Sequence, residues 1–322
     1  MEEVNNLTTN TTRENSAVIK LIDDIELTND NVSYGYAGFV STAFEDIMRD
    51  MNETEQADFY ANPYPYAFIT LDLNGHVLYL NKISLMCQYV GLEIIDSNPT
   101  AENVLPDGTT VTGGAVYGNG CMLQAVYGGF MTINGGNFCG NMLFYTMAGG
   151  VTVNQGVIRC SMPMQEIGSD LQGSTGILVA WLDETKSTVN INGGKIDGSV
   201  IIGDGDTGEI VTDPEFIAQV VKVDESKVNV IKDDAGNIIG YEEKVIEPEP
   251  TPTEPTEPTD PTEQEPNDNK TPVISGTTSN GQPTSDDFMK IMMIGVLVIV
   301  ALSVISIAAS LLIIKKYRPR VA

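Results

Sequence analysis

Short apolar segments recur along the chain, and each is followed by a glycine pair or its equivalent. Four of them align: Thr110–Val116, Thr132–Phe138, Thr152–Ile158 and Asn190–Ile196. In each segment, Val or Ile alternates with Thr or Asn before the bend. Because successive side chains of a strand point to opposite faces, the pattern predicts a strand with one buried and one exposed face. The glycines then permit a sharp bend.

The bends recur with a period near twenty residues. They begin at Gly113, Gly135, Gln155 and Gly193, so their spacings are 22, 20 and 38 residues, the last being about two periods. Such a period is typical of one coil of a parallel β-helix, whose coils stack about 4.8 Å apart and share one core. The sequence therefore predicts an all-β solenoid over residues 17–212, with the valines and isoleucines of the repeats inside.

Two further residue types keep a fixed phase in the repeat. They are Asn134, Asn154 and Asn192, and Cys121, Cys139 and Cys160. The asparagines predict a partial ladder in which each amide hydrogen-bonds to the next along the stack; ligand contact is the alternative interpretation. We interpret the cysteines as small side chains that fill the core.

The segments on either side of the repeats predict additional elements. Residues 1–16 are expected to be disordered, and 34–64 to be an insertion that is helical over 42–60. Ala43, Ile47, Met48 and Met51 share one face of that helix. Residues 213–246 predict a capping helix and a β-hairpin around Asp233–Asn237, placed to cover the end of the stack.

The C-terminal part predicts a stalk and a membrane anchor. Residues 247–287 are rich in Pro, Thr and Glu and predict an extended, disordered linker. Residues 288–314 predict one transmembrane helix, because 291–314 contain no charge and reach about 36 Å as a helix. The basic residues of the tail, 315–322, favour a cytoplasmic tail and an extracellular N-terminal domain.

The first residues do not resemble a signal peptide, because they lack a basic start and an apolar stretch. An extracellular domain then requires a true start upstream of Met1. The alternative is a tail-anchored protein that faces the cytosol, and the basic tail favours the first interpretation.

Charge restricts the partners. The chain has 44 acidic and 17 basic residues, for a net charge of -27. Such a surface repels phosphate backbones, so nucleic acid is not expected as a partner. A single histidine and the absence of closely paired cysteines also argue against a zinc site.

The order of four segments carries a family resemblance. They are Ile69–His76, Leu92–Ser97, Thr112–Tyr117 and Met131–Phe138. Their succession resembles the right-handed β-helix, adhesin-like surface proteins of gut bacteria and some archaea, which share the pectin-lyase-like fold. The resemblance covers roughly residues 17–245. It implies surface display and adhesion or carbohydrate binding, and it supplies no catalytic residues.

Few residues suggest specific chemistry. Asp204, Asp206 and Glu209 alternate with glycine and threonine and form a candidate Ca²⁺ site, although such runs are more often turns. Trp181 is a candidate platform for a sugar ring, with core packing as the other role. No catalytic residue and no cofactor other than Ca²⁺ is predicted.

Three functions are therefore open. The first is a membrane-anchored, non-catalytic surface protein that binds an extracellular glycan or another cell-surface ligand. The second is a polysaccharide lyase or hydrolase, because pectin lyases and polygalacturonases use this fold, although fold alone does not establish function. The third is a structural component of a surface layer.

Overall fold

The computed structural model describes residues 16–28, 36–160, 162–163, 174–181, 186–204 and 209–244. This part of the chain is mostly β, and eighteen of its twenty strands belong to one sheet. The strands are β1 (Ala17–Lys20), β2 (Ile25–Glu26), β3 (Tyr36–Val40), β4 (Ala67–Asp72), β5 (Val77–Asn81), β6 (Ser84–Gln88), β7 (Val90–Ile95), β8 (Glu102–Val104), β9 (Thr110–Thr112), β10 (Ala115–Val126), β11 (Phe130–Met147), β12 (Gly150–Cys160), β13 (Met162–Pro163), β14 (Ser174–Trp181), β15 (Thr188–Ile191), β16 (Lys195–Asp197), β17 (Ser199–Asp204), β18 (Val221–Val223), β19 (Val228–Lys232) and β20 (Ile238–Glu243). The described helices are α1 (Thr42–Asp50), α2 (Glu53–Ala61) and α3 (Pro214–Val220).

Parallel pairing joins one set of strands into what we call the first stack. It contains β1, β4, β7, the start of β11, the start of β12, β15 and β18, in that order. The register aligns one row of side chains across it: Leu71, Ile94, Ile133, Val153 and Ile191. All five belong to one buried cluster. The prediction that Ile133, Val153 and Ile191 share one interior is therefore confirmed.

Two further parallel stacks belong to the same sheet, which β13, β19 and β20 join by antiparallel pairing. The second contains β2, β5, the start of β10, the middle of β11, the end of β12 and β16. The third contains β3, β6, the end of β10, the end of β11, β14 and β17. Phe138 of the second stack and Phe144 of the third are fully buried, with ring centroids 5.2 Å apart. The stacks therefore contribute side chains to one core.

Glycines occupy the bend that follows the first stack, because backbone atoms crowd there. Gly136, Gly156 and Gly194 all have φ between 70° and 91°. A Cβ on Gly156 would lie 2.8 Å from the carbonyl oxygen of Gly136, and one on Gly194 would lie 2.7 Å from that of Gly156. The repeated glycine thus meets two needs, a left-handed backbone and a close approach of successive bends.

A buried carboxylate stabilises the same bend. Asp72 accepts hydrogen bonds from the backbone N–H groups of Asn74 and Ser97, both at 2.9 Å, and lies 3.4 Å from the Lys20 ammonium. Burial alone raises the pKa of this carboxyl, but the hydrogen bonds from Ser97 and Asn74 and the charge of Lys20 outweigh it. The pKa of Asp72 is therefore lowered, and the charged form supports the bend.

The helical insertion differs from its prediction in three respects. It contains two helices, because Asn52 begins a second one through a capping box with Glu55. Its first part, β3, pairs with β6 and belongs to the sheet. The buried face also differs, since Ile47 is 38% exposed. The buried residues of this cluster are Phe44, Met48, Phe59 and, from the loop between β6 and β7, Tyr89.

The three repeating cysteines are all buried and form no disulfide in the described chain. Cys121 and Cys160 lie in the main core, as predicted. Cys139 instead lies on the outer side of the second stack, in a small cluster that includes Leu105 and Val111 of the β8–β9 hairpin region. Burial raises the pKa of the Cys121 thiol to about 12 and of the Cys139 thiol to about 11. Both are therefore neutral at physiological pH and poor nucleophiles.

Helix α3 directly precedes β18, the last strand of the first stack, and the β19–β20 hairpin follows β18, so a helix and a hairpin occur within 213–246 as predicted. β20 runs antiparallel to β16 and so closes that side of the second stack. None of the three described helices has the length and apolarity that a membrane span requires. The linker at 247–287, the span at 288–314 and the tail at 315–322 lie outside the described residues, as do residues 1–15.

Candidate functional site

Trp181, the candidate sugar platform, lies at the end of β14 and is half-buried. Its ring packs edge-on against Phe216 of α3, with centroids 4.8 Å apart and planes at 83°, and it contacts the main core. The contact joins the end of β14 in the third stack to α3. A role in sugar stacking stays a prediction for this residue.

The candidate Ca²⁺ site is described only in part. The Asp204 backbone N–H donates to the Glu209 carbonyl oxygen at 2.8 Å, which brings the two ends of the loop together. Asp206 lies outside the described residues. Across the described ranges, no three His, Cys, Asp or Glu side chains form a group suited to a metal ion. Calcium binding by Asp204, Asp206 and Glu209 stays a prediction.

A groove of about 490 Å³ lies over the outer side of the first stack. It is built from the strands that carry the repeat, so each passage of the chain contributes side chains to its wall. Its polar lining residues include Thr70, Glu93, Thr132, Thr152, Asn154 and Asn192. The volume falls in the range of small-ligand sites. We call this feature the stack groove.

A row of linked polar side chains runs along the stack groove. Asn192 Nδ2 donates to Asn154 Oδ1 at 2.9 Å, and Asn154 Nδ2 donates to Asn134 Oδ1 at 2.8 Å. The predicted asparagine ladder is therefore confirmed. It continues beyond the prediction, because Asn134 Nδ2 donates to Glu93 Oε1. We call the whole row the polar ladder.

The polar ladder reaches Glu93 from the other side as well. Thr70 Oγ1 donates to Glu93 Oε2 at 3.3 Å, and the Ser16 and Thr70 hydroxyls lie 3.0 Å apart. Because Thr70 donates its one hydroxyl proton to Glu93, Ser16 is the donor in the hydrogen bond between the Ser16 and Thr70 hydroxyls. Two chains of donors thus converge on one carboxylate, which can only accept.

Two phenylalanines line the stack groove beside the polar ladder. Phe68 is in register with Gly91, and Phe130 is in register with Gly150. A Cβ on Gly91 would lie 2.6 Å from Phe68 Cδ1, and one on Gly150 would lie 2.8 Å from Phe130 Cδ1. Each ring therefore occupies the space that a side chain on the next strand would fill. Both rings are half-buried and keep part of their surface accessible.

The arrangement supplies one charge, several hydrogen-bonding groups and two aromatic surfaces. Glu93 is the charged residue among the described residues that line the groove. Amides and hydroxyls suit the hydroxyl groups of a ligand, and aromatic rings suit its apolar faces. The sequence analysis identified the asparagines but not Phe68, Phe130 or Glu93. The available signal was one position near the start of each strand of the first stack, where phenylalanine and glycine alternate: Phe68, Gly91, Phe130 and Gly150.

Comparison with known proteins adds no homologue to this picture. The chain matches no protein-family model, no curated protein and no solved structure. The resemblance to adhesin-like surface proteins consequently rests on the sequence alone.

Proposed function

We propose that the three stacks form a right-handed parallel β-helix. The order of the strands supports a parallel β-helix, because the chain passes from the first stack to the second and then the third through β4, β5 and β6 and again through β15, β16 and β17. The right-handed form is what the family resemblance implies. The short register steps support it too, since Ile133 and Val153 pair across 20 residues. A crystal structure in which the three stacks belong to separate, unconnected sheets would contradict it.

We infer that the protein is a non-catalytic glycan-binding module of a cell surface. The observation that carries this proposal is the stack groove, where Phe68 and Phe130 lie beside the polar ladder. Sugars present apolar ring faces and hydroxyl edges, so they need aromatic surfaces and hydrogen-bonding groups side by side. The groove has both along one face of the stack.

The polar lining supports binding rather than cleavage. Glycoside hydrolysis usually needs two carboxyl groups facing each other across the scissile bond. Among the described lining residues of the groove, Glu93 supplies one, and it already accepts from Thr70 and Asn134. A lyase needs a base beside its substrate, and the described lining includes no Lys, Arg or His. The polysaccharide-cleaving alternative therefore has less support than binding.

Surface display is the second part of the proposal and comes from the sequence. The uncharged segment 291–314 and the basic residues after it favour an anchor with the β-rich domain outside the cell. Protease added to intact cells should then remove residues 1–280, which include most of the stalk. Cleavage that requires permeabilised cells would show that the domain faces the cytosol.

Glycan binding should depend on the exposed face of Phe130. We expect Phe130→Leu to weaken binding of a recognised oligosaccharide by about three- to tenfold, because leucine keeps apolar volume but loses the aromatic surface. The measurement is titration calorimetry with the full-length chain in mild detergent, using oligosaccharides selected on a panel of plant and host glycans.

The matched control is Tyr79→Leu. Tyr79 is also half-buried, but it lies on the outer side of the second stack, where it contacts Tyr117. This variant should bind as the unmodified chain does. Absence of binding to every glycan on the panel would refute the proposed function, and release of shortened products would show that the protein is an enzyme.

A further inference from the structure

The polar ladder has a direction, and Glu93 sets it. A carboxylate has no proton to donate, so the Asn134 amide must present Nδ2 to Glu93. Its Oδ1 then points to Asn154, which must in turn present its own Nδ2. The same argument orients Asn192. One negative charge therefore fixes the orientation of three amides in succession.

The ladder also has a length. Its side chains come from Ser16, directly before β1, from strands β4, β7, β11 and β12, and from Asn192, directly after β15. Five strand spacings separate the two ends, which corresponds to about 24 Å along the stack. A groove of this length, with one polar group per strand, suits an extended polymer better than a single sugar.

The charge of the groove selects the chemistry of that polymer. Glu93 lies in the middle of the ladder, and the described lining contains no cation to neutralise an acidic ligand. A uronate or sulfate group placed in the groove would meet a like charge while losing its own hydration. Uncharged hydroxyl or acetamido groups meet no like-charge repulsion, and they can accept hydrogen bonds from the remaining amide N–H groups.

We propose that the stack groove binds a neutral, extended glycan in one orientation along the stack, and that Glu93 both orders the ladder and excludes acidic glycans. The inference rests on the proposed function and specifies its ligand class. Acidic pectins are therefore not expected as ligands of the stack groove.

The test compares neutral and acidic ligands of equal length. The full-length chain in mild detergent is titrated with oligomers of neutral hexoses, oligomers of N-acetylhexosamine and oligogalacturonate. We expect at least one neutral series to bind about tenfold or more tightly than oligogalacturonate. Its affinity should rise with chain length until the oligomer spans the ladder, and should change little with salt.

The Glu93→Gln variant tests the role of the carboxylate. Glutamine has the same shape but no charge, and its amide can donate as well as accept, so the direction of the ladder is no longer imposed. The preference for neutral over acidic oligomers should fall several-fold in this variant. The matched control is Glu102→Gln, which removes one exposed charge from β8, away from the groove, and should leave the preference unchanged.

The outcomes separate this inference from the proposed function. If oligogalacturonate binds as tightly as the neutral oligomers, the ligand class is wrong while glycan binding stands. If Glu93→Gln leaves the preference intact, the role given to Glu93 is wrong. If none of the oligomers binds while another glycan of the panel does, only the ligand class is refuted; if the whole panel fails, both are refuted. Thermal unfolding is the control for the fold. If Glu93→Gln unfolds at the same temperature as the unmodified chain, a change in preference comes from the groove rather than from loss of fold.

Discussion

Replacing Phe144 with alanine should lower the free energy of unfolding by about 3–5 kcal/mol, the usual cost of removing a fully buried phenyl ring. Phe144 is inaccessible to solvent and is paired in register with Leu123 and Ile177, which are also fully buried. Its ring lies edge-on to Phe138 across the core. The cavity would therefore affect two stacks at once, and neighbouring backbone held by strand pairing has little freedom to fill it.

Urea unfolding followed by circular dichroism measures this loss. Phe144→Leu keeps most of the volume and should cost less than about half as much, which keeps the comparison informative if the alanine variant does not fold. Val104→Ala is the control, because Val104 is 69% exposed on β8 and its truncation should change stability by less than about 0.5 kcal/mol. Similar losses for Phe144→Ala and Val104→Ala would contradict the shared core.

Gly156→Ala should cost about 2–5 kcal/mol, from two sources that can be separated. The φ of 91° places an L-residue in a strained backbone region, which costs about 1–2 kcal/mol. The new Cβ would also lie 2.8 Å from the Gly136 carbonyl oxygen and 3.1 Å from the Gly135 carbonyl carbon. Backbone atoms cannot rotate away, so the successive bends would have to move apart, at a further cost of about 1–3 kcal/mol.

Gly108→Ala isolates the cost of the strained backbone from the cost of the close contact. Gly108 has a similar φ of 84°, but a Cβ there would meet no atom within 4 Å. This variant should therefore lose only about 1–2 kcal/mol in the same unfolding measurement. Equal losses at the two positions would mean that the bends are not in contact, and the explanation given for the repeated glycine would fail.

The regular part of the structure was predictable because its signal is local. Alternation in Met131–Ile133 and in Val151–Val153 identifies which side chains are buried without knowledge of their neighbours. The period of about twenty residues then determines which strands pair, so the row of Ile133, Val153 and Ile191 and the amide contacts beside it follow from spacing alone.

The irregular parts depend on contacts between residues that are distant in the sequence, so local patterns did not predict them. Helical spacing grouped Ile47 with the buried face, but the helix packs through Phe44 against Tyr89, 45 residues later. The β8–β9 hairpin region covers Cys139, which periodicity assigned to the main core. The stack groove was missed because the position of the Phe130 ring is decided by the absence of a side chain at Gly150.

The bends between stacks are also where additional chain enters the structure. Ile94 pairs with Ile133 across 39 residues, whereas Ile133 pairs with Val153 across 20, and the excess contains β8 and β9. The interior rows keep their alignment despite this detour. Because the entropy of closing a loop grows only with the logarithm of its length, such detours cost little. The fold can thus acquire peripheral modules at its bends while the buried rows of side chains stay unchanged. Insertions that diversify the sequence should therefore concentrate at the corners between stacks.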